Sequence, residues 1–302
     1  MKIIRARHLG MCFGVRNAIA LALQQAAAGP LTVLGELVHN EIVLGQLRAA
    51  GVQFETDPRK VTTQTVMITA HGASVRRIMH LRERGLTVLE ATCPLVRKAH
   101  LALAGLVQAG FHPVIIGKRE HVEVRGLTED LAEFDVVLTE TDALALPARQ
   151  RFGVIAQTTL PIERVHRLVQ IIRSRFPVAE VRFVDTVCPA TKLRQAAAIE
   201  LARNCDVVVV IGGVNSNNTR ELAATCRKFC ARVHQVHNTA DLRPDWFAFA
   251  ETVGITAGTS TPESLIAEVE AQIRTFTTAA AGAANQIQHQ PVAELNCIRA
   301  SA

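Results

Sequence analysis

A unit that occurs three times in this chain constrains its fold more than any other feature of the sequence. Each copy ends at a cysteine, in residues 91–94 (ATCP), 186–189 (TVCP) and 10–14 (GMCFG). Around these ends, apolar runs of strand length alternate with stretches rich in Ala, Leu, Arg and Glu. This alternation is typical of βαβ units whose parallel strands form a sheet. The sequence therefore predicts an α/β protein built from three similar small domains.

The position of the third cysteine strand predicts how the three units are arranged. Residues 85–93 (GLTVLEATC) and 181–188 (VRFVDTVC) are two copies of this strand, and residues 2–12 (KIIRARHLGMC) supply the third from the start of the chain. The N-terminal strand would then complete the last unit and close a ring. We expect parallel sheets with pseudo-threefold symmetry around a central cavity. The expected units are 13–93, 94–188 and 189–276, the last one completed by 1–12.

Polar side chains follow the predicted strands at matching places in the three units. A glycine ends one apolar run in each unit, and His39, His121 or Ser216 stands four positions later. Ligands of parallel α/β units gather at the carboxyl ends of the strands, so a ring would direct these side chains into one cavity. Small polar residues are also common in ordinary loops, but their register across three units favours a binding site. The second strand end of each unit reads 70–72 (AHG), 156–159 (AQTT) and 257–260 (AGTS).

Cys12, Cys93 and Cys188 occupy equivalent places in the repeat and can therefore meet on one axis. Three thiolates on one axis suggest a metal or iron–sulfur centre with one coordination position left free, which is typical of a catalytic site. Zn²⁺ accepts three thiolates together with a histidine or a water. A [4Fe–4S] cluster normally has four cysteine ligands, so three would leave one iron open as a Lewis acid. The spacing of the cysteines does not separate these two metals.

The other four cysteines are interpreted differently. Cys205 precedes a run of valines, and Cys226 and Cys230 lie four positions apart on a predicted helix without a matching second pair nearby. All three are expected to pack in the core. Cys297 is expected to be a free thiol in the tail. The N-terminus lacks the apolar stretch of a signal peptide, so a cytoplasmic location is expected. In that compartment, cysteines are expected to be free or metal-bound thiols and not disulfides.

Charge and composition limit the partners of this chain. Its net charge is +6 and its pI is about 9.2, which suits an anionic ligand or an acidic partner. Nucleic acid is disfavoured because the basic residues are scattered and only 4% of residues are aromatic. The sequence has no apolar run of the roughly 18 residues that a membrane-spanning helix needs. The Ala- and Gln-rich segment 277–302 is expected to be a disordered tail.

Nine short motifs occur in an order that matches a known family. Over residues 1–275 the sequence resembles the 4-hydroxy-3-methylbut-2-enyl diphosphate reductases, the IspH or LytB family. So many motifs in the same order make the resemblance specific. The motifs are 10–15 (GMCFGV), 38–40 (VHN), 70–72 (AHG), 91–94 (ATCP), 121–123 (HVE), 157–159 (QTT), Cys188 with 190–191 (AT), 215–218 (NSNN) and 257–262 (AGTSTP).

The resemblance implies the last step of the methylerythritol phosphate route to isoprenoids. In that reaction, (E)-4-hydroxy-3-methylbut-2-enyl diphosphate loses its hydroxyl group by two-electron reduction and yields isopentenyl and dimethylallyl diphosphate. The resemblance also implies an oxygen-sensitive [4Fe–4S] cluster with one open iron, held here by Cys12, Cys93 and Cys188. An acidic ferredoxin or flavodoxin would suit the positive charge of the chain as electron donor. A monomer is expected.

The same resemblance assigns roles to individual residues. Glu123 would deliver protons, and Thr158 would relay them or orient the substrate hydroxyl. Imidazole, hydroxyl and amide groups can bind a diphosphate without a metal. Two other hypotheses are an iron–sulfur sensor, which would not need Glu123 and Thr158, and a zinc hydrolase with three thiolates and a water. The implied diphosphate ligands are His39, His71, His121, Ser216, Asn217, Asn218 and Ser260.

Overall fold

The computed structural model describes the backbone of residues 1–287 and the side chains of residues 1–276. In this part of the chain, strands and helices alternate, and the strands form three four-stranded sheets. All strand pairs in these sheets are parallel. The predicted fold class of three parallel α/β units is therefore confirmed.

The first unit has a sheet with its most buried strands in the middle. Its elements are α1 (Phe13–Ala28), β2 (Leu31–Leu34), α2 (Glu41–Ala49), β3 (Val52–Glu55), β4 (Thr65–Ile68), α3 (Val75–Glu83) and β5 (Thr87–Glu90). The strand order is β3-β2-β4-β5. All four residues of β2 are buried, whereas β5 at the edge is exposed at both ends. A strand covered on both faces reads as a continuous apolar run, which explains the sequence of β2.

The second unit repeats this order of elements with one additional helix before its third strand. It consists of α4 (Pro94–Gln108), β6 (His112–Ile116), α5 (Val122–Thr128), β7 (Asp135–Val137), α6 (Glu140–Ala145), β8 (Arg151–Ala156), α7 (Ile162–Arg175) and β9 (Glu180–Phe183). The strand order is β7-β6-β8-β9. The inner strands β6 and β8 are almost entirely buried, and apolar side chains from α4 and α7 complete the core on the two faces of the sheet.

The third unit takes its edge strand from the N-terminus of the chain. Its elements are β1 (Lys2–Arg5), α8 (Pro189–Arg203), β10 (Val207–Ile211), α9 (Asn217–Cys226), β11 (Arg232–Val236), β12 (Thr252–Ala257) and α10 (Glu263–Ile287). The strand order is β1-β12-β10-β11. β1 pairs with β12 in a register that sets Lys2 opposite Thr252 and Arg5 opposite Ile255. The first and last strands of the described chain thus share one sheet.

The last helix includes the first residues of the segment that the sequence predicted to be a disordered tail from Thr277. α10 runs from Glu263 to Ile287 and so continues past that point. Alanine has the highest helix propensity, so an Ala-rich continuation favours helix. The rest of the predicted tail lies outside the described residues, and the unit boundaries at 93, 188 and 276 stay a prediction. No helix in residues 1–287 combines the length and the apolar character that a membrane span requires.

Candidate active site

Cys12, Cys93 and Cys188 lie at the same structural position in the three units. Each is the residue immediately before a helix: Cys12 precedes α1, Cys93 precedes α4 and Cys188 precedes α8. All three are free thiols that remain partly exposed. The N-terminus of a helix, with its partial positive charge, lies next to each cysteine. The equivalence predicted from the repeat therefore extends to the local geometry.

The three thiols lie close enough to influence one another. The pKa of Cys93 is raised, mainly by burial and further by the neighbouring Cys12 and Cys188. Hydrogen bonds from backbone N–H groups of the helix that follows offset part of this rise. The helix after Cys12 contacts Cys93 directly, because a Cβ placed on Gly14 would lie 2.8 Å from the Cys93 Sγ. The N-terminal segment thus packs on the cysteine of the first unit.

Arg194 is a buried cation beside these cysteines that the sequence analysis did not identify. It is 7% exposed. Its Nη2 and Nε donate to the backbone oxygen of Gly10 at 2.6 and 3.2 Å, and its Nη1 donates to that of Ala190 at 3.1 Å. Burial lowers the pKa of Arg194, whereas Cys12 and Cys188 raise it. The available signal was an arginine on the helix that begins directly after Cys188.

His39, His71 and His121 meet although they follow strands of two different sheets. The distances between their ring centroids are 5.1, 5.7 and 6.1 Å. Burial, with His39 and His121 nearby, holds the pKa of His71 well below its usual range. Burial, with His39 and Lys118 among its neighbours, lowers the pKa of His121 to about 4. His71 and His121 are therefore neutral at neutral pH, and each ring has one N–H to donate.

The three histidines line a cavity that also receives polar side chains from the third unit. Its empty volume is about 370 Å³. Two atoms of its lining that can donate hydrogen bonds, Asn217 Nδ2 and Ser260 Oγ, are buried without a partner among the described residues. Buried donors without partners are costly and indicate a place for a polar ligand. The lining consists of Val15, Leu37, Val38, His39, His71, His121, Thr159, Ser216, Asn217, Asn218, Thr259 and Ser260.

Two more of the predicted ligands, Ser216 and Asn218, accept hydrogen bonds from the backbone with their side-chain oxygen atoms and still have N–H or O–H groups to donate. Ser216 caps α9, and its Oγ accepts from the backbone N–H of Thr219 at 3.3 Å. The Oδ1 of Asn218 accepts from the backbone N–H of Thr259 at 3.1 Å. The hydrogen bond from Thr219 does not use the hydroxyl hydrogen of Ser216. The hydrogen bond from Thr259 does not use the amide nitrogen of Asn218. Both groups can therefore donate to an anion in the cavity.

Glu123 and Thr158 form a buried pair in the second unit. Glu123 is 1% exposed. The backbone N–H of Thr158 donates to its Oε1 at 2.7 Å, and the Thr158 hydroxyl donates to its Oε2 at 2.9 Å. Burial raises the pKa of Glu123 to about 7, although both hydrogen bonds from Thr158 lower it. A carboxyl group with this pKa is present in both protonation states at neutral pH, as a general acid requires.

The buried pair adjoins the cavity through its chain neighbours. His121 caps α5, because its Nδ1 accepts from the backbone N–H of Glu123 at 3.2 Å. Thr159, which follows Thr158, lines the cavity. Glu123 and Thr158 are not themselves part of the lining. The structure therefore brings together all seven predicted diphosphate ligands and sets the predicted acid behind one of them.

The remaining described cysteines pack as the sequence predicted. Cys226 and Cys230 are buried in the core of the third unit, and Cys205 packs against the same cluster. Burial raises the pKa of Cys226 to about 12 and that of Cys205 to about 11, so both are protonated at neutral pH. Cys297 lies outside the described residues. Within residues 1–276, no three His, Cys, Asp or Glu side chains are arranged to hold a single metal ion.

Comparisons with known proteins show which family the chain is similar to. A profile of the LytB protein family matches residues 3–274. A 4-hydroxy-3-methylbut-2-enyl diphosphate reductase of Geobacter metallireducens is 36% identical over 92% of this chain and 99% of its own length. That of Geobacter sp. strain M21 is 38% identical over 89% of this chain and 95% of its own.

Two solved structures have the same fold. The E-1-hydroxy-2-methyl-but-2-enyl-4-diphosphate reductase of Plasmodium falciparum superposes with a TM-score of 0.83 at 25% identity, covering 92% of this chain and 87% of that one. A structure of (E)-4-hydroxy-3-methyl-but-2-enyl diphosphate reductase, described as the terminal enzyme of the non-mevalonate pathway, gives 0.64 at 33% identity, with coverages of 91% and 100%. Because the family profile and these relatives span almost the whole chain, the chain belongs to the LytB protein family.

Proposed function

We propose that this chain reduces (E)-4-hydroxy-3-methylbut-2-enyl diphosphate to isopentenyl and dimethylallyl diphosphate. Each turnover consumes two electrons and two protons, breaks the C–O bond to the hydroxyl group and releases water. The observation that carries the proposal is a single cavity in which neutral imidazoles and unpartnered donors lie next to a buried carboxyl group with a pKa of about 7. The names of the family relatives support the same reaction.

The diphosphate would bind in the cavity through hydrogen-bond donors of the side chains. His39, His71 and His121 offer imidazole N–H groups, and Ser260 Oγ and Asn217 Nδ2 gain the hydrogen bonds that they lack without a ligand. Hydrogen bonds to an ionised acceptor are roughly twice as strong as neutral ones, so such donors suffice without a metal. The helix dipole of α9, whose first turn carries Asn217 and Asn218, adds partial positive charge. Ser216 and Asn218 complete this proposed ligand set.

A [4Fe–4S] cluster fits the donor set of the three cysteines. Cys12, Cys93 and Cys188 are free thiols at three helix N-termini, and the cation of Arg194 lies beside two of them. Positive charge and helix dipoles stabilise the thiolates that iron requires. When bound, the cluster would supply electrons and an iron with an exchangeable position. Three cysteine ligands and one open iron are part of this proposal.

Glu123 would deliver a proton to the departing hydroxyl group. Its raised pKa leaves a large protonated fraction at neutral pH, and the hydroxyl of Thr158 is positioned to relay that proton or to orient the substrate. Their burial keeps bulk water from the carboxyl group. A non-enzymatic sensor would have no use for this pair, which favours the enzyme over the sensor.

The cellular setting is also part of the proposal. The six cysteines in the described residues are free thiols, which fits a reducing compartment, and we propose a cytoplasmic monomer. Ferredoxin or flavodoxin would be the electron donor, because the net charge of +6 suits an acidic redox protein.

Anaerobic purification followed by metal analysis and a turnover assay tests the function. We expect about four irons per chain and turnover of the hydroxylated allylic diphosphate with dithionite. Glu123→Gln should keep the iron and bind inorganic diphosphate, but lose about 100-fold or more in kcat. Glu120→Gln makes the same chemical change at an exposed neighbour and should keep full activity. Bound zinc in place of iron, or iron without turnover, would contradict the proposal.

A further inference from the structure

A groove on the surface beside Cys12 has no part in the proposed chemistry of the substrate. Its empty volume is about 700 Å³, and it is lined by residues that include Arg7, Cys12, Phe13, Arg16, Leu193 and Arg194. We call it the Cys12 groove. None of the residues that line it also lines the diphosphate cavity. The groove therefore reaches Cys12 by a route separate from that of the substrate.

The wall of the Cys12 groove exposes apolar side chains next to positive charge. Phe13 is 41% exposed and Leu193 is 50% exposed. Arg7 and Arg16 are also exposed, and the lining contains no Asp or Glu. Aromatic and apolar groups with arginine nearby are enriched where proteins bind one another. Arg7 contacts Glu200 at 3.0 Å, so part of its charge is already compensated.

Arg16 is the arginine of the Cys12 groove whose substitution best tests the binding of an acidic partner. It lies one turn into α1, and its backbone N–H donates to the backbone oxygen of Cys12 at 3.0 Å. Burial lowers the pKa of Arg194, and the guanidinium of Arg16 is near enough for the two positive charges to repel and to lower it further. Arg16 is exposed and Arg194 is buried, and both line this groove. Two neighbouring cations in one groove form a focused positive field that attracts an acidic surface.

We propose that the Cys12 groove is the docking surface of a small, acidic electron-carrier protein of the ferredoxin class. This inference rests on the proposed reductase function, which needs two electrons for each substrate molecule. Two reduced one-electron carriers would dock in turn, and each would leave oxidised by one electron. The rate of electron transfer falls steeply with distance, so a carrier seated over Cys12 has a short path to the proposed cluster. Weak redox encounters of this kind use small interfaces.

Direct binding measurements test the docking surface without turnover. A strongly acidic [2Fe–2S] ferredoxin is titrated calorimetrically into the full chain, purified without oxygen and loaded with iron and sulfide. We expect Arg16→Glu to weaken its affinity about 10-fold or more and added salt to weaken it further. Leu193→Ser should weaken it without changing the salt dependence. Arg243→Glu reverses a charge that is 67% exposed and outside the groove, and it should bind like the unaltered protein.

Electron delivery then separates docking from chemistry. With reduced ferredoxin, turnover by the Arg16→Glu and Leu193→Ser variants should fall by about the factor lost in affinity. With dithionite, which needs no docking surface, both variants should match the unaltered protein. Unchanged ferredoxin affinity in both groove variants overturns the proposal, as does an equal loss in Arg243→Glu or a parallel loss with dithionite. If the unaltered protein shows no turnover with dithionite, the reductase function fails, and the affinities still decide whether ferredoxin docks in the groove.

Discussion

Arg194 holds the backbone oxygen of Gly10 with two N–H donors, at 2.6 and 3.2 Å. Gly10 has a φ of +74°, which a glycine adopts more readily than other residues. The bond ties the helix that follows Cys188 to the turn that precedes Cys12. Together with the pairing of β1 on β12, it sets the position of the N-terminal cysteine relative to the third unit.

Removal of the Arg194 guanidinium should destabilise the fold. In Arg194→Gln the Gly10 oxygen loses its donors, and we expect the free energy of unfolding to fall by about 1–3 kcal/mol. Arg194→Lys keeps the charge but lacks the two-pronged donor, so it should recover only part of the loss. Urea unfolding measures both. Arg203→Gln, an exposed change on the same helix, serves as the control, and an equal effect there would contradict the role of Arg194.

Gly14 should tolerate no side chain, because its Cα faces the Cys93 sulfur. A Cβ there would lie 2.8 Å from the Sγ, so Gly14→Ala must displace Cys93 and should lower the iron bound per chain. Gly105→Ala is the matched control. That glycine lies exposed in α4 with nothing within 4 Å of an added Cβ, and the change should add about 0.5–1 kcal/mol of stability. Iron analysis and urea unfolding distinguish the two, and normal iron in Gly14→Ala would refute the prediction.

Ser260 and Ser216 should respond oppositely to loss of their hydroxyl groups. The Ser260 Oγ is buried without a partner among residues 1–276, so Ser260→Ala should leave stability unchanged or raise it by about 1 kcal/mol while weakening the binding of inorganic diphosphate. Ser216→Ala also removes the cap of α9 and should cost about 1 kcal/mol of stability. Thermal unfolding with and without diphosphate measures both effects. A loss of stability in Ser260→Ala would show that its hydroxyl has a structural partner.

Diphosphate binding should strengthen as the pH falls. The pKa of His121 is about 4 and that of His71 is also lowered, so both rings are neutral in the free protein at neutral pH. A bound diphosphate favours the protonated rings and raises both pKa values, so binding takes up protons. Affinity should therefore increase as the pH is lowered from about 8 towards the low pKa values of the free rings. Calorimetry in two buffers of different ionisation enthalpy reports the uptake. His121→Asn should reduce this uptake, and an unchanged value would argue against a role for His121.

The free energy of unfolding should depend on pH because of the titration of Glu123. Its pKa rises from 4.5 to about 7 on folding, so the folded state binds the proton more tightly. The resulting stability is complete below about pH 4.5 and is lost as the pH rises through about 7, a difference of about 3 kcal/mol. Glu123→Gln should remove this dependence, whereas Glu120→Gln should keep it. Urea unfolding across this pH range measures it, and identical pH profiles for the two variants would contradict the prediction.

The sequence predicts the fold where local pattern and packing agree. The run of valines in β10 is buried along its whole length, since a central parallel strand is covered on both faces. The equivalence of Cys12, Cys93 and Cys188 follows from the repeat, because the same strand-to-helix turn carries each of them. The tail beginning at Thr277 was predicted from composition, and there the helix propensity of alanine continues α10 to Ile287.

By itself, the sequence determined the three α/β units and the loops that carry the polar residues, because strand and helix periodicity are local properties of the chain. Only the tertiary structure decided the chemical state of those residues. The low pKa of His71 arises from its burial and from rings that follow other strands, and the raised pKa of Glu123 arises from its burial at the start of α5. Arg194 meets Gly10 across 184 positions of sequence. Such contacts depend on how whole units pack, which no local pattern encodes.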